Sequence, residues 1–381
     1  MDEIRTKFLC DGCQSSVDIA NELASYISQA KQTIEISIYS FCLGEKTQPI
    51  IQAALDERAK AGVAIRIAYD AGSQLSQLPP TGQTGHYTCE QSTPEFINHM
   101  GFPSRQVEGD RALMHHKYVL LDAATPNAQV WTGSTNFTDE SWTLQDNNII
   151  VLRSQRLAGY YARDFEELWV DSNLTASGLQ DSGEATLQYG GAPAYVLVNF
   201  SPGEGEWIDN SLSQQIERTN KRLTIATVVL TSSGIIRAIQ GLMARNVPIE
   251  GVYDWTQMEG VKYQWSLVPE NHWKIGVFEE IVQYGNLVGK KSTPFTPTST
   301  HDFMHNKIMV ADDTTITGSY NFSRHAQRNA ENILLITSSA LASTYRDYIG
   351  MLMRKYASQP KPAPSSPEAQ QAEKTPPAPN T

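Results

Sequence analysis

Apolar residues recur at helical spacing between residues 14 and 32, at Val17, Ile19, Ala20, Leu23, Ala24, Ile27 and Ala30. Asn21, Glu22 and Gln29 fall off that face, so the stretch predicts a helix. Residues 34–41 alternate strictly between apolar and polar, which predicts a strand. A second helix is expected from about Pro49 to Lys60, stopped by Ala61-Gly62, and a second strand over residues 63–70. The same order returns later: helix over 213–221, strand over 223–230, helix over 233–245, strand over 247–254. Asp70 and Asp254 end equivalent strands. Strands alternating with helices imply parallel pairing through right-handed crossovers.

Downstream in each half the pattern changes. Residues 71–113 and 255–304 look irregular, apart from a short helix near Pro94 to Met100. Long insertions beside a site usually shape access to it, and the aromatics of the second, Trp255, Tyr263, Trp265, Trp273 and Tyr284, are divided between core filling and such a role. Residues 118–121 and 308–311 are apolar enough for buried strands, 130–132 and 315–317 follow as strands, and 149–152 and 333–336 as further ones. Helices over 155–169 and 341–356 close the halves. Residues 178–191 are glycine-rich and polar, suggesting a linker. From residue 358 the chain is Pro, Ala, Gln and Ser without core formers, a composition expected to be disordered. The expected organisation is one α/β unit over 1–177, a linker over 178–194, a second unit over 195–357, and the tail over 358–381.

With 381 residues and 40% apolar content, the chain can bury a large core. Its net charge of −11 argues against strong non-specific binding to nucleic acid by the body of the protein, while leaving room for a local basic site. No run of eighteen apolar residues is present, and the first ten residues lack the basic-then-apolar pattern of a secretory leader. A cytoplasmic location is the expectation from those two features. Cys10-Asp11-Gly12-Cys13 has metal-ligand spacing, and Cys89 with His86 could complete a zinc site. The missing second cysteine pair weighs against zinc, a Cys10–Cys13 disulfide would close a small strained loop, and reduced structural cysteines are favoured.

One short segment occurs twice. The first copy is His115-His116-Lys117, with Asp122 five residues after the lysine; the second is His305-Asn306-Lys307, with Asp312 in the same place. Each is followed by a glycine-serine-asparagine segment, Gly133-Ser134-Thr135-Asn136 and Gly318-Ser319-Tyr320-Asn321, and then by Asp146-Asn147 and Glu331-Asn332. The copies lie 190 residues apart at the histidines and 185 apart at the asparagines. Matching partners in matching order identify a real duplication.

On an extended segment His115 and Lys117 share a face, as do His305 and Lys307, whereas Asp122 and Asp312 point the other way and suit backbone hydrogen bonding. Two histidines, two lysines and two asparagines brought together by pseudo-twofold packing make a cationic pocket for a tetrahedral oxyanion such as phosphate. One neutral imidazole can attack phosphorus while the other, protonated, donates to the leaving oxygen. Asp146 and Glu331 are candidates to hold the far ring nitrogen of a histidine. The lysines supply the cation neutralisation, so neither a metal nor another cofactor is required. The remaining histidines, His116 and His325 included, are expected to be non-catalytic.

These residues resemble the phospholipase D superfamily, whose signature is H-x-K-x4-D followed by a glycine-serine-asparagine segment. The resemblance spans roughly residues 14 to 356. It implies two pseudo-symmetric α/β/α domains, each a mixed, mostly parallel sheet flanked by helices, and a phosphodiesterase working through a phosphohistidine. By that resemblance His115 and His305 are the catalytic pair, Lys117, Lys307, Asn136 and Asn321 hold phosphate, and Ser134 and Ser319 are secondary contacts. Asp146 stands where the family more often has glutamate. Family precedent gives the nucleophile to His115 and the general acid to His305, with the near-symmetry leaving the reverse open.

Three readings of the function follow: hydrolysis of a phospholipid head group, cleavage of DNA or RNA, and an inactive phosphate-binding protein. The first is preferred on the apolar and aromatic insertions. The acidic charge counts against the second, and two intact motifs count against the third. Cardiolipin-type synthases usually carry membrane-spanning segments, which ranks that activity low. The oligomeric state is left open, with the site completed inside one chain.

Overall fold

A computed structural model of the chain describes residues 2–71, 89–179, 181–296 and 299–359. The strands are β1 (Glu3–Leu9), β2 (Thr33–Ile38), β3 (Phe41–Cys42), β4 (Ala64–Asp70), β5 (Ser104–Val107), β6 (Lys117–Leu121), β7 (Gln129–Gly133), β8 (Phe137–Thr138), β9 (Asn147–Arg153), β10 (Gly183–Tyr189), β11 (Ala192–Ser201), β12 (Leu223–Thr227), β13 (Ile249–Asp254), β14 (Val288–Lys290), β15 (Lys307–Ala311), β16 (Thr314–Gly318) and β17 (Glu331–Thr337). The helices are α1 (Ser16–Ile27), α2 (Gln48–Lys60), α3 (Cys89–Met100), α4 (Asp139–Thr143), α5 (Gln155–Asp171), α6 (Gly205–Glu217), α7 (Ser233–Ala244), α8 (Trp255–Ser266), α9 (His272–Tyr284) and α10 (Ser339–Tyr356).

One mixed sheet of fifteen strands runs through the molecule in the order β14-β13-β12-β15-β16-β17-β11-β10-β1-β9-β7-β6-β2-β4-β5. Read outward from its middle, the two arms repeat each other. The crossover pairs β2–β4 and β12–β13 are parallel, as expected from alternating strands and helices, while the motif strands β6 and β15 join them antiparallel. The arms meet where β1 touches β10 at a single register point, Glu3 against Gln188.

Helices α5 and α10 lie on one face over a central core that includes Tyr161, Phe165, Tyr345 and Leu352. On the other face each arm has its own core, the first around α1 and α2 with Trp131 and Trp142, the second around α6 to α9 with Trp265 and Phe278. Matched caps start the closing helices: Ser154 accepts from the Leu157 N–H and Ser338 from the Leu341 N–H. The arms are also laced reciprocally. Asn148 donates to Thr317 at 2.7 Å and Tyr345 at 3.2 Å, and Asn332 donates to Thr132 at 3.1 Å and Tyr161 at 2.9 Å.

Several expectations need correction. Residues 178–194, read as a linker, carry all of β10 and the start of β11, because the glycines there serve the Gly190-Gly191 hairpin turn at positive φ. Strand β1 was not anticipated; alternating Glu3, Arg5 and Lys7 hide a strand at the sheet's centre. The stretch 255–304 holds α8, α9 and β14. Helix α6 begins eight residues ahead of the expected helix. Cys10 and Cys13 form a disulfide, which takes their thiolates away from zinc. His86 and the Cys89 side chain, the rest of that candidate, lie outside the described residues, as does the tail from residue 360.

Candidate active site

Each motif segment reaches across to the opposite arm and is held by it. The His115 N–H donates to the Ala330 carbonyl at 2.9 Å, and the His305 N–H donates to the Asp146 carbonyl at 3.0 Å. The residue before each histidine is pinned by a buried aspartate at the end of a crossover strand. Asp70 accepts from the Met114 N–H at 2.8 Å, and Asp254 from the Met304 N–H at 2.9 Å. Lys117 and Lys307 fold back, each ammonium donating to the carbonyl of its own histidine, at 2.8 and 2.7 Å. That fold-back places both cations on the histidine face, as the spacing of two requires.

Asp122 and Asp312 point away and close the strand ends. Asp122 accepts from the N–H groups of Lys31, Gln32 and Thr33, and Asp312 from those of Asn220, Lys221 and Arg222. Both aspartates have positive φ, 52° and 50°. Their place in the motif is therefore structural.

The glycine-serine turns leave β7 and β16 against the backbone of β9 and β17. A Cβ on Gly133 would stand 2.2 Å from the Asn148 carbonyl oxygen, and one on Gly318 would stand 2.3 Å from that of Asn332. Only glycine fits such an approach. The serines are fully buried behind the histidines. Ser134 Oγ donates to Asn147 at 2.7 Å and accepts from the Asn148 N–H; Ser319 Oγ accepts from the Asn332 N–H and supports the Glu331 carboxylate. These hydroxyls, expected as substrate contacts, are engaged in orienting the histidines' partners.

The far ring nitrogens show what the sequence concealed. His115 Nδ1 lies 2.8 Å from Glu331 Oε2, across the midline. His305 Nδ1 lies 3.0 Å from Asn147 Oδ1, not from Asp146. The first arm has one residue more between its Gly-Ser turn and β9, so Asn147 occupies the place of Glu331, and Asp146 that of Ala330. The register proves it: Gly133 pairs with Ile149, and Gly318 with Ile333. Asp146 is thus corrected from a histidine partner to a buried structural ion. It meets Lys290 at 3.0 Å, Tyr356 at 2.8 Å and the Asp11 N–H at 3.1 Å.

Asn147 was missed as a partner because its neighbour carries the charge. Asn329, also missed, donates to Glu331 at 3.2 Å and accepts from the Leu113 N–H. The Tyr39 ring lies 4.9 Å from that of His115 and 5.2 Å from the Lys117 ammonium, centroid distances that put an aromatic wall beside one histidine. His116 points to the opposite face, 3.2 Å from Asp164, in keeping with a non-catalytic place. Asn136 and Asn321 are both buried at the turns that follow the serines.

Electrostatically these groups form one cluster. Burial, followed by Lys117 and Lys307, pushes His115 well below the ordinary imidazole value; burial, followed by Lys307 and Lys117, does the same to His305. Burial and then Lys117 lower the Lys307 ammonium well below its usual range. Burial raises the Glu331 carboxyl to about 8, against the pull of Lys117. A concentration of buried donors and cations around two neutral imidazoles is short of negative charge, which a phosphoryl group supplies.

This fold and this paired site define a protein of phospholipase D type. The chain belongs to the family described as cardiolipin synthase, PLD-like domain, whose pattern matches residues 23–169 and 212–353. It is 24% identical over 147 residues to mitochondrial cardiolipin hydrolase of Chlamydomonas reinhardtii, covering 38% of this chain and 54% of that protein. To mitochondrial cardiolipin hydrolase of Canis lupus familiaris it is 22% identical over 171 residues, covering 43% and 57%. The chain spans little more than half the length of these relatives. In architecture it is similar to phosphatidylserine synthase of Haemophilus influenzae Rd KW20, with a TM-score of 0.63 at 14% identity over 93% of this chain and 86% of that one, a likeness of fold alone. Among the described residues no helix is long and apolar enough to cross a membrane.

Proposed function

We propose that the protein cleaves the head-group phosphodiester of a phospholipid through a phosphohistidine on His115, without a metal. The observation that carries this reading is the unequal support of the two histidines: a carboxylate for His115 and a neutral amide for His305.

With its Nδ1–H donated to Glu331, His115 keeps a lone pair on Nε2. Attack by Nε2 forms the P–N bond and leaves the imidazole cationic; that charge, with Lys117 and Lys307, favours the ionised form of Glu331 at 2.8 Å, which stabilises it in turn. Binding of the substrate phosphate favours the protonated form of His305, and this ring, backed only by an amide, donates its Nε2 proton to the departing alkoxide as the P–O bond breaks. Lys117 and Lys307 neutralise the non-bridging oxygens, with Asn136 and Asn321 as further donors. In the second step His305 takes a proton from water, whose oxygen attacks phosphorus, and the P–N bond breaks to return His115. An alcohol in place of that water gives head-group transfer, so the synthase description of the family and hydrolysis share one intermediate.

The test is to quench a reaction on a labelled phospholipid and map the phosphorylated peptide. Label on His115 in the wild type, and its absence in His115→Ala, supports the reading; label on His305 or none at all overturns it. Activity that persists in excess chelator supports the metal-free step. Phosphatidylcholine vesicles and single-stranded DNA assayed side by side decide the substrate, with cleavage of DNA alone selecting a nuclease.

A further inference from the structure

The turn that follows α8 carries an exposed apolar tip. Leu267 is 65% exposed, Val268 41% and Tyr263, one turn earlier, 37%. Such side chains are ordinary singly, but here three fall within six residues, at the end of α8 and in the turn after it. The tip rests on aromatic and cationic residues. The Val268 N–H donates to the Trp265 carbonyl, and the Lys274 ammonium sits 5.5 Å from the Trp265 ring centroid. The Arg237 guanidinium lies 4.8 Å from the ring of Trp273.

From there a chain of cations leads to the active site. Lys274 donates to the Thr231 carbonyl at 3.0 Å, and Arg324 and Arg237 both press on its charge. Arg324 and Arg328 are exposed, in the turn between Asn321 and Glu331. Both ends of that turn are site residues. Asp209, the acid facing Lys274, is buried beneath the surface. Lys262 adds no free cation to this rim, because Glu259 at 2.7 Å and Glu279 at 3.3 Å neutralise it. Arg237, Arg324 and Arg328, all exposed, make a cationic rim beside the tip, while the hairpin of α8 and α9 itself carries the exposed acids Glu270, Glu279 and Glu280.

We infer that the tip Tyr263, Leu267 and Val268, with Arg237, Arg324 and Arg328, forms an interfacial surface that seats the protein on an anionic phospholipid membrane, site mouth toward the lipid. The pairing of buried apolar side chains with cations at headgroup level is the physical basis of such binding, and neither part suffices alone. Nucleic acid would use the cations but has no place for Leu267 and Val268. The inference rests on the phospholipid reading for its benefit to turnover, but binding is measured apart from it.

The experiment uses the full chain with vesicles of phosphatidylcholine, with and without phosphatidylglycerol. Sedimentation should show binding to the anionic vesicles that salt weakens. Leu267→Asp with Val268→Asp should reduce that binding by about tenfold or more, as should Arg324→Glu with Arg328→Glu. Glu270→Lys, beside the tip, should strengthen it, so the idea does not depend on loss alone. The Leu267→Asp, Val268→Asp protein should retain wild-type activity on a soluble chromogenic phosphodiester. Equal binding by wild type and both loss variants overturns the membrane surface, as does DNA binding insensitive to Leu267→Asp together with no vesicle binding. Vesicle binding without activity on either substrate would instead overturn the phosphodiesterase reading and leave the surface standing.

Discussion

His305 faces an amide where its counterpart faces an acid: Nδ1 lies 3.0 Å from Asn147 Oδ1. A site that is symmetric in its histidines, lysines and turns is asymmetric in the one contact that sets imidazole basicity. The two rings are thereby suited to different halves of a displacement, and that difference can be measured.

Glu331→Gln should reduce kcat by about a thousandfold or more, in the range seen when a histidine-orienting carboxylate becomes an amide. Asn147→Ser should have a smaller effect, because it removes a neutral support. Single-turnover kinetics check this, with the Glu331 variant slowed in forming the phosphoenzyme. Equal losses in the two variants would contradict the division of roles.

Anion binding should draw in protons. His115, His305 and Lys307 all sit below their ordinary values, from burial first and neighbouring cations second. A bound phosphate favours their charged forms, so affinity should fall as pH rises. Titration calorimetry with inorganic phosphate in buffers of different ionisation enthalpy should report net proton uptake; release would refute it.

Glu331 should make stability pH-dependent. Its folded value of about 8 lies above the ordinary 4.5, so between these the folded chain binds more protons than the unfolded one. The group therefore removes stability as pH rises through that window. The Tm advantage of Glu331→Gln over wild type should be small near the bottom of the window and grow toward pH 8, and a flat difference would count against it.

Asp146 should matter for folding. Asp146→Asn leaves buried Lys290 with the partly exposed Asp11 carboxylate at 3.3 Å in place of its closer partner, and should cost about 2 kcal/mol. Adding Lys290→Met should recover most of that loss. Denaturant unfolding of the two single variants and the double variant tests the coupling.

Asp122→Ala should destabilise more than Asp312→Ala. Each accepts three backbone N–H groups, but Asp122 is buried and Asp312 half-exposed, so water replaces only the second. A loss of about 2 kcal/mol is expected for Asp122, with the soluble-substrate KM unchanged in both variants.

Much of this arrangement was legible in the chain. Strands β2, β4, β6, β7 and β9 and their counterparts follow from apolar periodicity. The inward His and Lys and the outward Asp122 follow from the period of two. What escaped notice had physical reasons. Strand β1 carries alternating charges at its exposed positions, so it reads as polar, and β10 hides behind the glycines of its own hairpin. The α8 and α9 pair is masked by aromatics spread around both helices, some in the core and some, like Tyr263, in solvent. Asp146 was misassigned because aligning acid with acid is the natural choice in sequence, while the ladder between β7 and β9 is indifferent to charge and places Asn147 at the histidine.

The sequence alone determined the duplication, the α/β order, the family and which side chains share a face, because these depend on local spacing and on residue type. Only the tertiary structure decided which partner each imidazole receives. Those partners come from the opposite arm, and a single extra residue before β9 moves the neighbouring side chain to the other face. That choice is made by backbone hydrogen bonds closing between segments far apart in the chain, His115 with Ala330 and His305 with Asp146.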